Sequence, residues 1–436
     1  MKMIAAYQDP LLNKTVTKVW VRLMPLLFIL YFVAFIDRVN IGFAKDAMQS
    51  DLHLSDNAYA LGAGIFFSAY ALFGVPANLI LNRIGARKWI SMTTIVWGAL
   101  SMTTGFITNE YEFVILRFVL GVAEAGFYPG ILLLASMFFP DKVRGTVISA
   151  FVLAVPFALA LGSPISGALL ELEGLFGYAG WTWMFIIEGL PAVFTGIFCY
   201  FYLDDTPDNA KFLSADERMV LCEQLAKESK KQQVSHFGGA VKSTALWHLA
   251  LIYGFLQIGV YGMLFFLPSQ VAALMGTTIG FKASIVAAIP YIAAIFGVYY
   301  IPRYTDRHPH LRLMVAALIV ILAAIGLVVS AYASAPFAIV ALSFSAIGFL
   351  AVQPIFWTFP PQVLSGSALA AGIGICTMVG AIGSFFAPII RVESESLLSS
   401  KSGGLVVLSL CTLVCAALIA TFSVYRQYGY EKQEAA

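Results

Sequence analysis

Charge is what this sequence has least of. Only 11% of its 436 residues are Asp, Glu, Lys or Arg, against about 25% in an ordinary soluble domain. A water-facing surface cannot be covered with so few, which excludes a soluble globular protein. Cysteine is scarce too. Cys199, Cys376, Cys411 and Cys415 lie in apolar runs and Cys222 in a charged stretch, a pattern with no disulfide framework and no metal-ligand spacing. No phosphate-binding loop is present, so ATP drive is not expected. No nucleophile–base arrangement points to an enzyme, and no cofactor is implied. The net charge of +2, without a basic–aromatic patch, gives no surface for nucleic acid.

What is abundant is apolar length. Hydrophobic residues make up 60% of the chain, and a helix needs about 20 of them in succession to cross a bilayer. Twelve runs qualify, at 19–44, 57–80, 88–107, 112–138, 145–171, 181–203, 244–275, 281–301, 311–330, 335–359, 367–390 and 404–425. The first is too long for a signal-peptide core of roughly 7–15 residues. The expected fold is all-α and polytopic: a six-helix half over 1–203, a charged linker over 204–243 with a helical pattern in its middle, and a second six-helix half over 244–436. Twenty of the 26 Lys and Arg residues fall on the side of the termini and linker, four on the other side, and Arg38 and Arg117 within runs. That bias places both termini in the cytoplasm of a multi-pass protein. The halves repeat: "GVPANLILNRIGARK" (74–88) follows the second run and "GVYYIPRYTDRHPHLR" (297–312) the eighth. Paired halves of this kind predict a transporter with its site between them, embedded in lipid, expected as a monomer.

Here the sequence resembles a family. The repeated loop, the "RFVLGVAEAG" stretch and the twelve-run plan are similar to the major facilitator superfamily. "FIDRVNIGFA", "VPANLILNRIGARKW" and "WTWMFIIEGLPAV" resemble its anion:cation symporter branch, and longer runs such as "IGFLAVQPIFWT" its L-rhamnonate-permease-like sugar-acid transporters. The resemblance implies an importer in a bacterial inner membrane that carries an organic anion, an aldonate such as L-rhamnonate, together with protons. Importers of dicarboxylates such as tartrate, or of aromatic acids, are the alternatives within transport. A transporter-like nutrient sensor is the alternative outside it, although the linker is short for a signalling domain.

Ionisable groups inside the runs are functional candidates because they are costly there. They are Asp37, Arg38, Arg117, Glu124 and Glu188, all in the first half. Asp37 and Arg38 point about 100° apart on a helix and cannot simply pair with each other. Arg117 and Glu124, seven apart, share a face. The resemblance implies that the first and fourth helices meet at the cavity, which would gather these four. A carboxyl in a low-dielectric site is disfavoured in its charged form, so Asp37 and Glu124 are the proton-coupling candidates. Arg38 and Arg117 offer a planar fork to a carboxylate. The bland alternative is a network that only fixes helix packing; Glu188, near the start of its run, fits that better.

Neutral residues would read the hydroxyls of a sugar acid. Tyr253, Gln257 and Tyr261 fall at i, i+4 and i+8, and Gln353 and Trp357 at i, i+4 around Pro354, a helix breaker. Tyr70 and Thr377 complete the substrate-binding candidates; the resemblance implies that these helices line the cavity. Arg83, Arg87, Asp306 and Arg307 resemble the superfamily's gating loops, with Asn82 in place of the usual acid. Gly121, Ala125, Gly126, Gly130, Gly372, Gly374, Gly380 and Gly383 read as close-packing positions.

Overall fold

The computed structural model describes residues 7, 9–229, 243–364 and 366–422. Helices begin and end where local chemistry dictates. α1 (Pro10–Leu52) starts with Asp9 accepting from the Leu11 and Leu12 N–H groups and Pro10 in its first turn, and stops at His53 in the left-handed region. Ser55 caps α2 (Asp56–Ile84). There follow α3 (Ala86–Thr104), α4 (Glu110–Glu124), α5 (Phe127–Phe138), α6 (Asp141–Val152), α7 (Ala154–Leu170) and α8 (Gly180–Tyr202). The linker contains the helix its pattern promised, α9 (Ala215–Ser229), held to α1 by Lys18–Glu217 at 2.7 Å. Its last stretch, 230–242, lies outside the described residues, as do 423–425 of the twelfth run. Then come α10 (Thr244–Leu264), α11 (Leu267–Leu274), α12 (Phe281–Arg307), α13 (Arg312–Tyr332), α14 (Ala335–Phe356), α15 (Pro360–Val363), α16 (Gly366–Leu397) and α17 (Lys401–Thr421).

Short connections make these twelve antiparallel passes. Ten are long and apolar enough to cross a membrane. α2 and α3 match the runs expected at 57–80 and 88–107, and α3 carries a larger share of Ser, Thr and basic residues than the rest. Several runs expected as single helices are broken. The fourth splits after Glu124 into α4 and α5, where the Trp89 indole donates to Gly126 O at 2.8 Å and packs so closely that a Cβ on Gly126 would lie 2.3 Å from it. The tenth ends two residues past Pro354 and resumes as α15.

α1–α8 pack chiefly among themselves, as do α10–α17. Two seams join the sets, α2 against α16 and α7 against α12. The seams close at one end, opposite the end where α1 begins and α17 finishes. There Tyr59 Oη donates to Phe265 O (3.3 Å), Ser269 to Asp46 (3.2 Å) and the Phe281 N–H to Glu171 (3.1 Å). A Cβ on Gly64 would meet Phe385 O at 2.4 Å, so backbones touch across the seam. At the other end the ion pairs stay within one set: Arg87 with Asp205 (3.3 Å) and Asp306 with Arg312 (3.1 Å). Arg83 and Arg307 are exposed there. The molecule is thus shut at the far end and unlatched at the near one.

Gly64→Ala tests this. Overpacking costs about 1–3 kcal/mol, here only in the far-closed state, which shifts the ratio of states by about 5- to 150-fold. Alkylation of Thr377→Cys, exposed in the far-closed state, should fall several-fold in the Gly64→Ala background. Equal labelling in both backgrounds would place the closing contact elsewhere.

Candidate functional site

The buried charges of α1 and α4 separate into two directions, as the 100° between successive residues requires. Arg38, 9% exposed, turns toward α4, and its Nη2 meets Glu124 Oε2 at 2.5 Å. Its guanidinium lies 5.2 Å from the Phe35 and Phe66 rings and 5.7 Å from Tyr70, and Tyr261 of α10 stands beside it. Arg38 therefore faces both sets of helices. Glu124 is fully buried, and its Oε1 has no partner. Asp37 points away from this pair. Its Oδ1 accepts from Ser101 of α3 (2.6 Å) and Asn40 (3.5 Å), and its Oδ2 has no partner.

Arg117 joins the gathering loosely, acting on Glu124, Arg38 and Asp37 without direct contact. It shares α4 with Glu124 but makes no ion pair among the described residues. Its Nε donates to Gly62 O at 3.4 Å, its guanidinium sits 5.0 Å from Phe66, and its Nη2 is unpartnered. The departure from the sequence expectation is Arg391. The sequence reading placed it in a loop and left the second half without buried ionisable groups. In the fold α16 continues past it, and Arg391 is 5% exposed, donating to Gly262 O (3.0 Å) and pairing with Glu395 (3.0 Å).

The neutral candidates form a second group. Gln353 ties α14 to α10: Tyr253 Oη donates to its Oε1 and its Nε2 donates to Gln257 Oε1, each at 3.4 Å. Trp357 and Phe356 stack beside Tyr253, with centroids 4.9 and 4.8 Å away. Gly380 of α16 lies against Tyr253 and Gln257. Thr377, one turn nearer the open end, is exposed and returns its hydroxyl to Ile373 O and Gly374 O. Tyr261 leaves this group for Arg38, packing on Phe67 at 4.4 Å. Tyr70 and Trp357 are half-buried. Of the glycines read as packing positions, Gly374 faces open space.

Sequence reasoning missed Ser101 and Asn40. Asn40 stands three residues after Asp37, so helical spacing alone puts the two on one face. Ser101, on a different helix, left no signal.

Comparison with known proteins agrees with this architecture. The Major Facilitator Superfamily model matches residues 27–388. The chain is 51% identical to the inner membrane transport protein RhmT of Escherichia coli (strain K12), over 95% of this chain and 97% of that one. It is 40% identical to the "Putative tartrate transporter" of Agrobacterium vitis, over 90% and 91%. In fold it is similar to the inward open conformation of the xylose transporter XylE from E. coli, with a TM-score of 0.73 at 13% identity, covering 93% of this chain and 96% of the other. By the extent of these matches, this chain belongs to the major facilitator superfamily, and it is a multi-pass membrane transporter rather than an enzyme.

Proposed function

We propose that this transporter imports a sugar acid of the aldonate class, such as L-rhamnonate, by proton symport across a bacterial inner membrane, with both termini and the linker in the cytoplasm. The observation that carries this reading is the buried Arg38–Glu124 pair beside Tyr261. In a desolvated site one guanidinium charge offsets one carboxylate charge. While Glu124 is ionised it occupies Arg38. A proton on Glu124 releases the fork for a substrate carboxylate, and the anion then replaces the charge that Glu124 has given up. Asp37, on the same helix, is the second proton carrier. Arg117, Tyr70 and Thr377 flank the carboxylate and its path. Tyr253, Gln257, Gln353 and Trp357 meet the hydroxyl-bearing end, since paired amides and aromatic faces suit a polyol. The far-closed, near-open arrangement is the cytoplasm-facing state of an alternating-access cycle in which the two six-helix halves, 1–203 and 244–436, rock about the site. Arg83, Arg87, Asp306 and Arg307 latch in the opposite state. A dicarboxylate such as tartrate would need a second cation, and Arg117, with a free Nη2, is the group available for it; binding across a panel of aldonates and dicarboxylates decides between the two.

Because anion and proton bind together, affinity should rise as pH falls and weaken as Glu124 ionises and reclaims Arg38. Glu124→Gln fixes the neutral form. Calorimetry with L-rhamnonate should then show affinity independent of pH, with concentrative uptake lost and counterflow retained. Arg38→Lys keeps the charge but loses the fork, and should weaken binding about 10- to 150-fold. An unchanged pH slope in Glu124→Gln, or uncoupler-sensitive accumulation surviving in both Asp37→Asn and Glu124→Gln, would refute the coupling.

Substrate choice should separate from coupling. Gln353→Leu removes two hydrogen bonds and should raise the half-saturation concentration about fivefold or more, at about 1 kcal/mol per bond. Trp357→Ala should alter the ranking of competing aldonates. Both should keep the parent's pH dependence; an unaltered competition profile in both would move the hydroxyl site elsewhere.

A further inference from the structure

Glu188 is as deeply buried as the two acids used above and has no part in that scheme. It lies near Asp37, where α1 packs against α7 and α8 and receives a hydrogen bond from Ser101 of α3. Asp37, Asn40 and Glu188 are 1%, 0% and 4% exposed. Ser166 of α7 donates to Glu188 Oε1 at 2.6 Å, and Ser101 of α3 donates to Asp37 Oδ1 at 2.6 Å. Asn40 stands between the acids. Its Nδ2 donates to Asp37 Oδ1 at 3.5 Å, and its side chain faces the Glu188 carboxyl.

Counting donors and acceptors shows what this cluster needs. Asp37 Oδ2, Asn40 Oδ1 and Glu188 Oε2 are all buried without a partner. All three are acceptors, and an ionised carboxylate offers nothing but acceptors. No Lys, Arg or His lies within ion-pair distance of either acid among the described residues. The charged groups facing the cluster are Glu124 and Arg117 of α4, and both act on Asp37. α7 has no ionisable side chain, α3 has Arg87 and Lys88 in its first turn only, and α8 adds Cys199, Tyr200 and Tyr202 at its far end from Glu188. Two bare carboxylates on one amide, out of water, are costly. One proton removes a charge and converts an acceptor into a donor.

We propose that Asp37, Asn40 and Glu188 form one buried proton site, in which the two carboxyls share at most one negative charge and Glu188 is the resident proton holder. Glu188 is then a positioning residue that sets how Asp37 takes and gives up its proton. This deepens the proposed symport by adding a member to the proton path, and it rests on that reading for its use but not for its existence. Infrared spectroscopy of the protein in lipid, without substrate, tests it. At neutral pH a protonated-carboxyl C=O band, shifted by D2O, should be present and should vanish in Glu188→Gln, which is isosteric with the neutral acid. Asn40→Ala keeps both acids and removes the bridge, so there the band should persist at a shifted frequency. Loss of the band in Glu188→Gln supports the site whether or not uptake is proton-driven. Absence of any band removed by Glu188→Gln overturns it, as does an unmoved band in Asn40→Ala. If the band is absent and NaCl raises the melting temperature of the parent but not of Glu188→Gln, the cluster holds a monovalent cation and the proposal falls.

Discussion

The constraint on which the rest of the molecule depends is an arginine largely withdrawn from water. A buried cation must be matched, and Arg38 is matched by Glu124 across the α1–α4 contact. That match is costly to form and more costly to leave half-made, so whatever removes Glu124's charge must supply another anion. The surrounding residues fit this constraint. Phe35, Phe66 and Tyr70 put ring faces, not competing acceptors, around the guanidinium. Tyr261 adds a hydroxyl from the opposite set of helices, so the state of one ion pair is felt on both sides of the seam.

The two sets are chemically unequal, and the inequality has a purpose under the proposed function. The buried acids Asp37, Glu124 and Glu188 stand in the first set, while the second presents Tyr253, Gln257 and Gln353 joined through amide and hydroxyl groups. A sugar acid is divided the same way, charged at one end and hydroxylated along the rest. A ligand that satisfies both ends must draw the halves together, which gives binding a mechanical consequence that a site within one half would lack. Arg391 does not disturb this division. Its charge is taken up by Glu395 and the Gly262 carbonyl near the closed end.

Much of this was legible in the sequence, and the failures have physical causes. Apolar runs gave the passes and the linker helix because both depend on local composition. The 100° step predicted that Asp37 and Arg38 would part, and they do. Spacing put Tyr253, Gln257 and Tyr261 on one face, but two turns of helix carry Tyr261 about 12 Å along the axis, out of reach of Gln353 and into reach of Arg38. Arg391 was misplaced because the apolar run stops at this first charge, whereas α16 continues and folds the arginine inward over Phe266 at 4.5 Å. Ser101 could not be found, since a serine among threonines and methionines in α3 gains its meaning only from the helix beside it. The break after Glu124 was hidden for the same reason: it depends on Trp89, on α3, donating to a carbonyl of another helix.

A transporter that holds one closed state too firmly stops working, so the closure should be strong enough to seal and weak enough to open. The cross-seam hydrogen bonds are few: Tyr59 to a carbonyl, worth about 0.5–1.5 kcal/mol net, and Ser269 and Phe281 to the exposed carboxylates Asp46 and Glu171, worth at most about 1.5–3 kcal/mol each. Together with backbone contact at Gly64, that is a latch of the order of a few kcal/mol. A ligand shifts such an equilibrium only by its differential affinity for the two states. A charge-assisted contact to Arg38, about 1.5–3 kcal/mol, is of matching size. Had the seam been sealed by buried ion pairs, the energy available from one carboxylate would not open it. The sparse closure, with no ion pair across it among the described residues, and the decisive Arg38–Glu124 pair are therefore two sides of one requirement.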